Sequence, residues 1–133
     1  MSDDVLQVEL VSADRPVWSG EATMVIARTT EGELGILPNH SPVLSLMVHG
    51  FVDIRSADGE RWVAAVDTGF ISVAANRVSI LSGRALLAQD IQLEDRRHEL
   101  EREQSSAEDG DDEEQASELA WLEAQVRAAE QNS

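Results

Sequence analysis

The chain lacks cysteine, tyrosine and lysine altogether, and these absences exclude several kinds of site. Without cysteine it has neither disulfides nor a thiolate metal site, which fits a reducing compartment. Without lysine it cannot carry the phosphate-binding loop of nucleotide hydrolases, whose motif requires that residue. Apolar runs are short, as at 63–66, whereas a transmembrane helix needs about 20 apolar residues. The acidic amino terminus has no basic region followed by an apolar one, so no signal peptide is expected.

Positive charge is also scarce, since 26 acidic residues face 10 arginines and the formal net charge is −16. Nucleic acid and anionic lipid attract basic surfaces, so neither is expected as a partner, and no direct membrane insertion is expected. The charge is uneven: residues 1–87 carry eleven acidic residues and six arginines, net −5, and residues 88–133 carry fifteen and four, net −11. We therefore predict two domains, 1–87 and 88–133.

Residues 1–87 alternate between apolar and polar side chains in short runs separated by turn signals. The clearest turn is Asp58-Gly59, a dipeptide typical of hairpins. Many short strands at regular spacing predict an antiparallel β-sandwich or barrel. The large aromatic residues in this half are expected to be buried or partly covered; they are Trp18, Phe51, Trp62 and Phe70.

Residues 88–133 have helical periodicity instead. A thin apolar seam runs from Leu93 to Ala107, and a stronger one consists of Leu119, Leu122, Val126 and Ala129. Trp121, Ala124 and Ala128 lie on the opposite side of the second helix, which predicts contacts with two neighbours: the first helix and either the sandwich or another subunit. The acidic run 108–114 contains Gly110, the expected reversal point of an antiparallel two-helix hairpin. The fold class is thus a β-sandwich with an α-helical appendage.

No catalytic constellation is evident. The motifs G-x-G-x-x-G and G-x-S-x-G are missing, and the three histidines, His40, His49 and His98, fit no metal-ligand pattern. We expect no enzyme, no cofactor and no metal site.

The segment 30–42 is the most distinctive part of the sequence. Gly32 and Gly35 permit turn conformations closed to other residues, while Pro38 and Pro42 stiffen the chain. Such a rigid loop can hold Glu33 and His40 at defined positions, although these rules alone fit a simple connection between strands equally well.

This segment resembles the G-E-L-G-I-x-P-x-H-x-P signature of the ε subunit of F-type ATP synthases. Segments 11–14, 18–20, 69–73 and 115–120 also resemble the family and follow its order, so the resemblance covers nearly the whole chain. It implies a non-catalytic subunit of the central stalk, peripheral to the cytoplasmic face of the bacterial plasma membrane, that couples c-ring rotation to ATP synthesis. The implied partners are the γ subunit, the loops of the c ring and, through the hairpin, the α/β catalytic head. Ser12 and His40 match γ-facing positions, and Glu31 and Glu33, with Gly32 and Gly35, match the edge facing the ring.

The family also includes members whose hairpin binds ATP and inhibits hydrolysis. The implied nucleotide-binding residues here are Glu94, Arg97 and Arg127, but the family motif I/L-D-x-x-R-A is represented only by Leu-Glu-Asp-Arg-Arg-His at 93–98. The second helix has Arg127 as its one cationic side chain, among several glutamates, so both ATP binding and inhibition are expected to be weak. The alternative to the whole assignment is a free-standing β-sandwich module that binds carbohydrate or peptide. The absence of tyrosine disfavours that alternative, since aromatic platforms bind sugars.

Overall fold

A computed structural model describes residues 4–106 and 113–132. Within this part, nine strands are followed by a short 3-10 helix, Ala88–Asp90, and two α-helices, α1 and α2. The strand bounds are β1 Leu6–Ser12, β2 Pro16–Thr29, β3 Gly32–Ile36, β4 Val43–Met47, β5 Gly50–Ser56, β6 Arg61–Val66, β7 Gly69–Ala74, β8 Arg77–Ser82 and β9 Ala85–Leu87; α1 is Leu93–Ser106 and α2 is Glu113–Gln131.

The strands form a sandwich because the 14-residue β2 belongs to both layers. Its first half pairs with β1 and its second half with β3 and β5. Along the sheet the order is β1-β8-β7-β4-β2-β5-β6-β9. The predicted fold class is confirmed, with one difference: β1 and β8 pair in parallel, while the other pairs are antiparallel. The turn at Asp58-Gly59 does close a hairpin, with Gly59 at φ 92°.

The core lies between the two layers and is built from the inward-facing side of each alternating strand. Leu6, Leu10, Ile54, Ile71 and Ile80 are fully buried there. Trp18 and Trp62 pack against this core with their ring centroids 6.0 Å apart. Phe70 is partly covered, as predicted, but it lies outside the core, because its side chain is 49% exposed on the outer face of β7.

The two helices lie antiparallel, because Arg97 near the start of α1 forms an ion pair of 3.0 Å with Glu130 near the end of α2. The predicted two-sided contact of α2 is confirmed, and its second neighbour is the sandwich. Trp121, Ala124 and Ala128 pack on Val63 and Ala65 of β6 and on Ala88. Residues 107–112, which include the predicted reversal point Gly110 and most of the acidic run, lie outside the described residues.

Candidate partner-binding surface

The turns of the sandwich are gathered at two ends, which we name after one residue in each. At the Asp67 end, five residues at the ends of neighbouring strands are cross-strand partners in sequence: Thr29 pairs with Met47, Met47 with Gly69, Gly69 with Ser82 and Ser82 with Ser12. The Asn76 end contains the β3–β4 loop and the β5–β6 and β7–β8 turns. The seven residues of β1 run between the two ends, a separation of about 20 Å at 3.3 Å per residue.

The β2–β3 turn at the Asp67 end contains Glu31 and Gly32, both exposed. Gly32 has φ 113°, a conformation that side chains rarely adopt, so the prediction of a turn glycine is correct at this position. The hydroxyl of Thr29 donates to the Gly32 carbonyl at 2.8 Å and accepts from the Glu31 amide at 3.1 Å. The Glu31 carboxylate is therefore presented by a well-defined turn.

Gly35 was wrongly predicted to be a turn residue. It lies inside β3, opposite Ile26, its φ is outside the left-handed region, and an added Cβ would meet nothing within 4 Å. Neither conformation nor space in the isolated chain thus requires glycine at this position. Glu33, exposed on the same strand, pairs in register with Arg28.

The loop that carries His40 is fixed to the Asn76 end by several hydrogen bonds. Asn39 lies at φ 70°, and its backbone amide donates to the side-chain oxygen of Asn76 at 2.6 Å. The side-chain amide of Asn39 donates to the Asp4 carboxylate at 2.8 Å. The His40 amide donates to the Leu37 carbonyl at 3.1 Å, and its ring Nδ1 lies 2.6 Å from the Ser41 carbonyl oxygen. The loop is therefore held in one conformation, as its prolines suggest.

Ser12 closes the β1–β2 turn and is only 6% exposed. Its hydroxyl oxygen lies 2.9 Å from an Asp14 carboxylate oxygen and 3.1 Å from the Arg15 carbonyl oxygen. Ser12 shares the Asp67 end with Glu31 and Gly32, whereas His40 is at the Asn76 end. The six predicted contact residues consequently do not form one cluster.

An exposed apolar row, not identified from the sequence, crosses four strands close to the Asp67 end. Leu46, Phe70 and Leu81 are direct cross-strand neighbours on β4, β7 and β8, and Val11 of β1 continues the row. The three large side chains are 52%, 49% and 53% exposed, and Leu44, two residues along β4, is 69% exposed. The signal in the sequence was adjacent apolar pairs, such as Phe70-Ile71 and Ile80-Leu81, within otherwise alternating strands.

The two arginines predicted to bind nucleotide, Arg97 and Arg127, both contact carboxylates. Arg97 contacts Glu130 at 3.0 Å and Glu94 at 2.8 Å, and these hydrogen bonds, that to Glu130 above all, raise its pKa. Arg127 lies 3.5 Å from Glu123.

Arg127 also lines a cavity of about 370 Å³ between the sandwich and α2, together with Arg28, Glu33 and Phe51. Two guanidinium groups favour an anion in this cavity, but the Glu33 carboxylate in its wall opposes one. The three predicted nucleotide-binding residues therefore do not provide a free cationic site.

Residues 4–106 and 113–132 contain no group of three or more His, Cys, Asp or Glu side chains that could hold a metal ion. No helix in this part of the chain is both long and apolar enough to cross a bilayer.

Known protein families and sequences are similar to this chain along most of its length. The family model for the beta-sandwich domain of the ATP synthase delta/epsilon chain matches residues 5–88. The chain is 55% identical to the ATP synthase epsilon chain of Streptomyces avermitilis over 97 residues, covering 73% of this chain and 78% of that one. It is 49% identical to the ATP synthase epsilon chain of Rhodococcus opacus over 126 residues, covering 94% and 96%. The chain belongs to the ATP synthase epsilon chain family.

Solved structures share the fold at low identity. A chain of the Euglena gracilis mitochondrial ATP synthase, in a structure of OSCP, F1 and c-ring, superimposes with a TM-score of 0.75 at 20% identity, covering 98% of this chain and 80% of that one. A chain from the central stalk and c-ring of the Tetrahymena thermophila mitochondrial enzyme gives 0.62 at 16% identity, covering 96% and 95%.

Proposed function

We propose that this protein is a non-catalytic central-stalk subunit that joins the γ subunit to the c ring and transmits rotation to the catalytic head. The observation that carries the proposal is the exposed apolar row Leu46–Phe70–Leu81 with Leu44 beside it. Each of these side chains offers about 100 Å² of apolar surface, so the patch is on the order of 400 Å². This area is in the range of the largest exposed patch on a monomeric protein, and such patches are often functional.

We assign γ to the outer face of β4, β7, β8 and β1. Ser12 directly follows Val11, the last member of the row, and His40 precedes β4, which carries Leu44 and Leu46. A partner seated on the row therefore lies beside Ser12, and one that also covers Leu44 extends along β4 toward His40. The exposed Glu31 turn at the Asp67 end suits the polar loops of the c ring. In this arrangement the subunit is peripheral to the cytoplasmic face of the plasma membrane, the hairpin faces the α/β head, and domains 1–87 and 88–133 have separate roles.

Co-elution with γ tests the proposal directly. We expect the full chain and purified γ from the same complex to co-elute in size-exclusion chromatography. A Leu46→Ser/Leu81→Ser variant is expected to elute alone while keeping the circular dichroism spectrum of the native chain. An unvaried chain that never co-elutes with folded γ would instead favour a free-standing ligand-binding module.

We further propose that the hairpin binds ATP weakly and inhibits hydrolysis weakly. Arg97 is engaged by two carboxylates, and the cavity beside Arg127 contains Glu33, so an incoming triphosphate lacks converging free donors. Titration calorimetry is expected to give no micromolar affinity for ATP. Deleting residues 88–133 is expected to change ATP hydrolysis by the assembled enzyme by less than about twofold, or roughly 0.4 kcal/mol in activation free energy. A several-fold rise would contradict weak inhibition.

A further inference from the structure

The hairpin is attached to the sandwich through a small apolar cluster distinct from the main core. Trp121, Ala124 and Ala128 of α2 supply one side of it. At the edge of this cluster the Arg84 guanidinium stands 5.0 Å from the centroid of the Trp121 ring and contacts Glu118 at 2.8 Å. Arg84 follows β8, so it joins the polar turns of the sandwich to the docked helix.

Arg84 is itself oriented by an aspartate of the sandwich. Asp67, in the β6–β7 turn, lies 3.0 Å from Arg84 Nε, and the Asp67 carboxylate also accepts the Thr68 amide at 2.7 Å. The Asp67 amide donates to the Ser82 hydroxyl at 3.0 Å and to the Arg84 carbonyl at 3.0 Å. His49 Nε2 lies 2.6 Å from an oxygen of the same carboxylate. These contacts of Asp67 are with sandwich residues, yet they fix the group that holds α2.

The same arrangement occurs at the carboxyl end of α2. Arg61 donates to the Gln131 carbonyl at 3.0 Å and lies 3.3 Å from the Gln131 side-chain oxygen. Its Nε and Nη2 donate to the Asp53 carboxylate at 2.9 and 2.7 Å, and Asp53 is 5% exposed. A cation at the last carbonyls of a helix also interacts favourably with the helix dipole. Each end of the docked part of α2 thus meets a sandwich arginine that a sandwich aspartate orients.

We propose that Arg84 and Arg61 act as clasps, that is, as side chains that hold α2 against the sandwich, and that Asp67 and Asp53 are their positioning residues. Through these pairs the turns of the sandwich control docking of the hairpin. Arginine suits this role because its planar fork of donors engages both carboxylates while its face stacks on Trp121. Partial burial opposes the charge of Arg84, but its hydrogen bonds to Glu118 and Asp67 outweigh burial and raise its pKa. Any change at the Asp67 end that moves Asp67 therefore loosens α2. This coupling lies within one chain and holds whether or not the proposed partners are correct.

Hydrogen–deuterium exchange of the α2 amides in the full chain tests the proposal. We expect Arg84→Gln to accelerate exchange at 118–126 about tenfold, a factor that corresponds to roughly 1.4 kcal/mol. Asp67→Asn is expected to accelerate the same amides about three- to tenfold, while strand amides of β1 and β8 keep their protection. Arg77→Gln, at the start of β8 and at the opposite end of the sandwich, is the matched control and is expected to stay within about twofold.

Two further variants separate the clasp from a general charge effect. Arg84→Lys keeps the charge but not the fork, and it is expected to restore less than half of the protection. Glu118→Gln is expected to accelerate exchange in the native chain but not in the Arg84→Gln background. Unchanged α2 exchange in Arg84→Gln would overturn the proposal that Arg84 holds α2 against the sandwich. Unchanged α2 exchange in Asp67→Asn, with a clear effect of Arg84→Gln, would overturn the positioning role of the aspartate.

Discussion

Replacing Phe70 by serine is the sharpest test of the apolar row. Phe70 lies between Leu46 and Leu81 and exposes 49% of its surface. The exposed part amounts to about 100 Å² of apolar area, or about 2.5 kcal/mol at 25 cal/mol per Å². If γ covers this residue, its loss lowers the affinity by roughly 70-fold. Central aromatic residues of this kind commonly dominate interface energetics.

The fold is expected to survive this substitution. Phe70 points away from the core, so its removal forfeits only the covered half of the ring, about 1–2 kcal/mol of folding free energy. A domain of ordinary stability, about 5–15 kcal/mol, remains folded after such a loss. Thermal unfolding followed by circular dichroism measures this effect separately from binding.

The assay is titration calorimetry of the full chain against purified γ. Ala74→Ser is the matched control, because Ala74 is exposed four residues further along the same face of β7, about 13 Å from Phe70. The control is expected to bind like the native chain. A folded Phe70→Ser variant that loses less than threefold in affinity would refute the assignment of γ to the row.

Three other substitutions or truncations test the rest of the account. Glu33→Gln/His40→Ala is expected to weaken binding to γ and the c ring while stability changes by less than about 0.5 kcal/mol, since both are surface positions; collapse of thermal unfolding with normal binding would make the loop purely structural. Truncation after Leu87 is expected to leave a cooperative β-rich unfolding transition, because the main core lies between the strands, and loss of that transition would show that the helices complete the core. Ala75 lies at φ 50°, so Ala75→Gly is expected to raise the free energy of unfolding by about 0.5 kcal/mol, and denaturant titration that shows no gain would contradict strain there.

The local patterns of the sequence were sufficient for the element types. A period of two gave strands before Leu87 and a helical period gave helices after it, because side-chain direction follows from backbone geometry alone. Apolar residues on two sides of α2 correctly predicted two neighbours. The G-E-L-G-I-x-P-x-H-x-P segment and its flanking matches were specific enough to indicate the family.

Contacts between distant segments were decided only by tertiary structure. The packing of the strands places Ser12 and His40 at opposite ends of the sandwich. Register aligns Leu46, Phe70 and Leu81, which are separated by 24 and 11 positions in the sequence, into one exposed row. The parallel pairing of β1 with β8 and the ordinary conformation of Gly35 likewise have no local signal. The pairing of Arg84 with Asp67 and Glu118 joins two turns of the sandwich to a helix. Such contacts depend on how whole layers pack, and side-chain periodicity within one element carries no information about the element it meets.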